Sequence, residues 1–146
     1  MIIAIGSDHG GFDYKKEIIE KLEKEGHEVI DCGTFSKDSC NYAEFALKVA
    51  NEVALKNAEK GIVICNSGEG VSIAANKVKG VRCGIGYCDE VAQLLRNHND
   101  ANMIAFGAHF ATLEEVERRI DIFLKSEFLG ERHQKRVQTI IDYENK

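Results

Sequence analysis

The sequence predicts a doubly wound α/β fold: one three-layer α/β/α sandwich around a five-stranded parallel sheet. Three observations carry this. Apolar runs of strand length alternate with segments of helical period from one end of the chain to the other. The strand runs are apolar throughout, as strands covered on both faces are. No linker, internal repeat or low-complexity stretch interrupts the alternation, so residues 1–146 read as a single domain.

Each element follows from local pattern. Ile2–Gly6 is the first strand. Phe12, Ile18, Ile19 and Leu22 form an apolar stripe that predicts a helix over Phe12–Glu25, closed by Gly26 as a C-terminal cap. Glu28–Asp31 reads as a short second strand, and Phe45, Val49 and Val53 predict a helix over Phe45–Lys56. Ile62–Cys65, bounded by Gly61 and Asn66, is the third strand, and a Gly-rich turn leads from it into a helix near Val71–Asn76. Val81–Gly86 is the fourth strand, Glu90–Arg96 a helix and Met103–Phe106 the fifth strand. Leu113–Leu124 and His133–Glu144 are the closing helices.

Composition narrows the function. Hydrophobic residues make up 44% and charged residues 29% of the 146, as in an ordinary soluble domain. No apolar run approaches the ~20 residues that cross a bilayer. Met1–Ile5 runs straight into Gly6 and Ser7, too short for a signal peptide, so a cytoplasmic protein without a membrane partner is expected. The net charge of −5 offers no global field for nucleic acid. A small anionic ligand needs only a local basic cluster. Cys32, Cys40, Cys65, Cys83 and Cys88 are odd in number, lack a CxxC pair and read as reduced thiols. No HxxxH, CxxC or carboxylate cluster stands at ligand spacing, so no metal is expected.

In open α/β sheets the ligand sits beyond the carboxyl ends of the strands. There the segment Cys65-Asn66-Ser67-Gly68-Glu69-Gly70 joins a buried strand to a helix. Such a turn aims several backbone N–H groups at one small volume, suited to an anion or a developing oxyanion. The same setting makes a thiol a usable base or nucleophile. The plainer alternative for Cys65 is a small hydrophobe closing a strand. The other four cysteines read as filler or loop thiols. Familiar phosphate motifs fail here. No Gly-Lys-Ser/Thr follows as in a P-loop, Gly6–Gly11 lacks GxGxxG spacing, and no arginine closes the loop as in a cysteine phosphatase.

Asp8 and His9 follow the first strand and would face the same crevice, either as sugar-hydroxyl ligands and proton carriers or as a helix-entry cap and a surface histidine. His98-Asn99-Asp100 precedes the fifth strand, a general-acid position or simply a polar turn. His27 reads as a surface residue and His109 is ambiguous. Arg132 and Arg136, four apart, share one helical face and have the shape to grip a phosphate, or only to solvate the last helix.

Together, Gly6-Ser7-Asp8-His9-Gly10-Gly11, Asp31-Cys32-Gly33-Thr34, Cys65 with its Gly-rich loop through Asn76-Lys77, His98-Asn99-Asp100-Ala101-Asn102 and Arg132-His133-Gln134-Lys135-Arg136-Val137 resemble the type B ribose-5-phosphate isomerase family. That family also includes galactose-6-phosphate isomerase subunits and allose-6-phosphate isomerases. The resemblance covers nearly the whole chain. It implies an α/β/α sandwich, a homodimer with sites shared across the interface (dimers pairing into tetramers left open), and cofactor-free interconversion of ribose 5-phosphate and ribulose 5-phosphate. It further implies Cys65 as the base between C1 and C2, with Ser67 and the loop amides of Asn66, Gly68, Glu69 and Gly70 steadying the intermediate. His98 opens the furanose ring, Asp8 and His9 hold hydroxyls, and Asn99, Arg132 and Arg136 contact sugar or phosphate.

This chain departs from the family pattern in places. His109 stands where many ribose-type relatives carry a phosphate-holding arginine, Asn66 replaces a common glycine, and Asn41-Tyr42-Ala43 replaces Asp-Tyr-Pro. Glu69 lies inside the loop, whereas the glutamate base of cysteine-lacking relatives falls at Val71. Glu69 therefore reads as a surface or substrate-selecting residue. Two alternatives follow: isomerisation of a six-carbon 6-phosphate sugar, and a silent sugar-phosphate binding module.

Overall fold

The structure, a computed structural model, describes residues 1–146. Its elements are β1 (Ile2–Ser7), α1 (Phe12–Lys24), β2 (Glu28–Asp31), α2 (Tyr42–Ala54), β3 (Lys60–Cys65), α3 (Glu69–Ala75), β4 (Cys83–Ile85), α4 (Asp89–Asn97), β5 (Met103–Gly107), α5 (Leu113–Lys125) and α6 (Arg132–Glu144), with a 3-10 turn at His9–Gly11. The five strands form one sheet in the order β2-β1-β3-β5-β4, and every pairing is parallel.

Alternation along the central strands sends side chains to two cores. Ile3, Ile5, Ile62, Ile64, Ile104 and Phe106 pack under α1, α4 and α5. Ala4, Val63, Met103 and Ala105 pack under α2 and α3, together with Val49, Val53 and Val71. Ile62 and Ile64 are both fully buried, and truncating either to alanine would cost ~2–5 kcal/mol. The edge strands β2 and β4 are only half-covered. No helix is long and apolar enough to cross a membrane.

Several boundaries differ from the sequence expectation. β4 shrinks from Val81–Gly86 to three residues, because it pairs only with β5 at the sheet edge. α2 starts at Tyr42 rather than Phe45, capped by Asn41, whose Oδ1 accepts the Ala43 N–H at 3.0 Å. α3 begins two residues early, at Glu69, and is only seven residues long. Within α1 the buried stripe is Ile18, Leu22 and Lys15, while Phe12 is half-covered. Lys15 is 1% exposed and its Nζ lies 2.7 Å from Asp31 Oδ1, so an ion pair satisfies the buried charge. Gly26 does close α1: at φ +91 it takes the left-handed position, and the His27 N–H reaches back to the Leu22 carbonyl.

Topology then selects the crevice. β1 and β3 are neighbours, yet β1 feeds α1 on one face of the sheet and β3 feeds α3 on the other. Their carboxyl ends therefore part company, leaving a gap at a topological switch point.

Candidate active site

Two loops wall that gap. The Asp8 N–H donates to the Ile64 carbonyl at 3.2 Å, which ties the end of β1 to β3. Asp8 Oδ1 accepts the N–H groups of Gly10 and Gly11 at 2.9 and 3.3 Å, so one oxygen is the helix-entry cap the sequence allowed. The other makes no hydrogen bond within the chain. His9 is exposed, and its Nδ1 faces the Cys40 N–H at 3.3 Å, with Cys40 Sγ at 3.9 Å. With Nδ1 accepting, Nε2 carries the ring proton. Cys40, read from sequence as a loop thiol, is thus the neighbour that orients His9.

Cys65 ends β3 opposite Gly107 of β5 and is 5% exposed. Its Sγ accepts the Gly68 N–H at 3.2 Å. Only glycine suits that donor's position, since Gly68 has φ +85 and a Cβ there would sit 2.9 Å from the Phe106 carbonyl carbon. Ser67 Oγ accepts the Glu69 N–H at 3.2 Å. The N–H groups of Asn66, Ser67 and Gly70 find no acceptor in the chain. Those of Asn66 and Ser67 belong to the loop, and that of Gly70 to the first turn of α3. A helix as short as α3 adds little dipole of its own, so the donor field here comes mostly from individual amides. Gly10 faces Asn66, with an ideal Cβ 3.5 Å from the Asn66 nitrogen, so the Asp8 and Cys65 loops are in contact. A third loop joins them: the Ala108 N–H donates to the Cys65 carbonyl and the His109 N–H to that of Asn66, at 2.9 and 3.0 Å. The His109 ring is exposed, edge-on to Phe110. Tyr42, which the sequence reading did not assign, lies against Gly70. Glu69 is exposed and lines an apolar groove of about 770 Å³ with Ser67, Tyr87 and Phe110.

Two of the remaining thiols behave as filler. Burial pushes Cys32 up to about 11 and Cys83 to about 12, so neither is a nucleophile near neutral pH.

The other predicted residues lie elsewhere. His98 and Asn99 follow α4 and precede β5, at the amino edge of the sheet, whereas Cys65 is at the carboxyl edge. The register from Met103 to Gly107 alone separates those edges by roughly 13 Å. The turn is held by side chains. Asp100 takes φ +46, Arg82 Nη2 reaches its carbonyl at 2.7 Å and its Oδ2 at 3.3 Å, and Arg96 Nη1 holds Oδ1 at 2.9 Å. Sequence reading missed both arginines, although the Arg96–Asp100 spacing of four was a signal. The His98 ring stacks on His133 of α6, centroids 4.0 Å apart and planes 11° from parallel. Arg132 and Arg136 start α6 at this same edge, both exposed and neither paired with a carboxylate. One chain therefore brings Asp8, His9, Cys65, Asn66, Ser67, Gly68, Glu69, Gly70 and His109 together. It does not bring His98, Asn99, Arg132 or Arg136 to them.

A switch-point crevice with a thiol beneath a cup of unpaired amides defines an α/β enzyme suited to proton transfer beside an oxyanion. The Ribose/Galactose Isomerase family model matches residues 3–140. The chain belongs to that family and is an isomerase. It is 44% identical to ribose-5-phosphate isomerase B of Escherichia coli, over 99% of this chain and 97% of that protein. A Clostridium thermocellum ribose-5-phosphate isomerase B structure superposes with TM-score 0.98 at 46% identity, covering 99% of this chain and 98% of that one. The Mycoplasma genitalium enzyme with bound ribulose-5-phosphate gives TM-score 0.95 at 39% identity, covering 99% and 97%.

Proposed function

We propose that residues 1–146 act as one cytoplasmic isomerase domain interconverting ribose 5-phosphate and ribulose 5-phosphate. The Cys65 thiolate takes the proton from C2 of the open-chain aldose and returns it to C1, while a proton passes from O2 to O1. The enediolate oxygen between these steps meets the amides of Asn66, Ser67 and Gly70, donors fixed before reaction and therefore effective. The free oxygen of Asp8 and Nε2 of His9 hold sugar hydroxyls. His98 protonates the ring oxygen to open the furanose, Asn99 and His109 touch the sugar end, and Arg132 and Arg136 grip the phosphate. No metal or cofactor takes part. The observation that carries the reading is the Cys65 sulfur at the switch point, with the Gly68 N–H on it and unpaired amides beside it.

Because His98, Asn99 and both arginines stand at the far edge, a second copy of the chain supplies them. The sides of β4 suit such a partner. Two apolar grooves sharing Leu95 flank this edge strand, and Tyr87, Phe110 and Tyr143 line them 70–74% exposed. The isolated protein is expected to sediment as a dimer or a dimer of dimers, and a monomer active at nanomolar concentration would refute the shared site. His109, in place of an arginine, favours a second reading with a six-carbon 6-phosphate sugar. Ketose formation from ribose 5-phosphate and allose 6-phosphate, each with a chelator present, tests both. Turnover only of the hexose selects the second reading, and binding without turnover of either makes the chain a silent module.

A further inference from the structure

We infer that His133 is a positioning residue for His98: its ring holds the proposed acid by stacking and leaves His98 as the member of the pair that takes the proton. The inference rests on the role proposed for His98. The His98 ring makes no side-chain hydrogen bond within the chain, and the face of His133 stacks on it 4.0 Å away. His133 is itself firmly seated. It is 6% exposed, its N–H donates to the Gly130 carbonyl at 3.0 Å, and Val137 one turn on is buried with it.

Charge divides the pair. The groups facing His133 are His98 at the end of α4, Arg132 and Arg136 on α6, and Glu131 at the entry to that helix. Burial first, then His98 and the two guanidinium groups, hold the His133 imidazole below its usual range. Two stacked imidazolium ions would repel, and His133 is the ring of the pair held toward its neutral form. The sequence presents His133 only as one of four basic residues in the five from Arg132 to Arg136, and nothing in that pattern marks it as the plane beneath another ring.

Three variants of the full-length enzyme, with His98→Asn as control, separate plane from charge. His133→Phe keeps a flat face and is expected to stay within about threefold of wild-type turnover. His133→Ala removes the face and is expected to lower kcat by ~10- to 100-fold with KM little changed, since the loss falls on the reacting step. His133→Arg keeps a stacking plane but adds a fixed positive charge. That charge disfavours the His98 imidazolium, so the pH above which turnover falls moves down, and the NMR titration midpoint of the His98 ring moves down with it. An unmoved NMR midpoint in His133→Arg, or equal kinetics for His133→Ala and His133→Phe, overturns the inference. A fully active His98→Asn instead removes the acid role itself, while the NMR titration still reports whether the rings are coupled.

Discussion

The loop at Cys65 and the turn at His98 sit at opposite edges of one sheet and are held by different means. The loop is held by backbone. Three central strands end in register, their amides and carbonyls lock the loops together, and a glycine at φ +85 lets one N–H reach the sulfur. The turn keeps the backbone bonds that end α4 and adds side chains to them: Arg82 and Arg96 on Asp100, and His133 under His98. A backbone cup presents donors that need no reorganisation, which suits a fixed oxyanion. A side-chain scaffold leaves titratable groups free to gain and lose protons, which suits ring opening and phosphate binding. Under the proposed function the two halves divide the chemistry, and a second copy of the chain joins them.

The sharpest way to break this comparison is Cys65→Ala. It should lower turnover by at least ~10³-fold while leaving the fold intact, because it removes the proposed base and little buried volume. Retained activity would move the base to Glu69. Next comes complementation. Cys65→Ala and His98→Asn proteins, each nearly inactive, should recover about a quarter of wild-type activity when unfolded and refolded as an equimolar mixture, since half the dimers are mixed and each mixed dimer holds one intact site. No recovery would mean that both halves act within one chain. Smaller effects sharpen the role of the far edge. Arg132→Ala or Arg136→Ala should raise KM by ~10- to 100-fold and change kcat less, as loss of a charge-assisted phosphate contact does. A fall in kcat alone would place these guanidinium groups at the reacting carbons instead. The smallest effect is structural. Asp100→Ala should cost roughly 2 kcal/mol in urea unfolding, as two mostly buried arginines lose a carboxylate and a left-handed turn loses the short polar side chain that tolerates it. Asp100→Asn, which tolerates that turn and keeps one acceptor, should lose less. Equal losses would show that charge alone holds the turn.

Legibility in the sequence follows the same division. The Cys65 loop was readable because a buried strand, a thiol and glycines in succession are local features with a local consequence. Asp8 was readable for the same reason as a cap or a ligand, and the structure seats one of its oxygens as the cap and leaves the other without a partner in the chain. The boundaries of β4 were not, because a three-residue edge strand is defined by its single neighbour β5. Lys15 was missed as a core residue because its partner Asp31 stands on another element. Arg82 and His133 were missed because one acts on a turn distant in sequence and the other through a stacked face, and neither leaves a spacing signature, whereas Arg96 was missed despite standing four residues before Asp100.

Sequence by itself determined the layer architecture, the position of every strand and the residue types at the carboxyl edge, since hydrophobic period and glycine placement act over a few residues. Only the tertiary structure decided the strand order that opens the gap between β1 and β3, and only it put His98 and the arginines a full strand length from Cys65. Those facts depend on which elements pack together, and packing between distant segments is set by the whole chain at once.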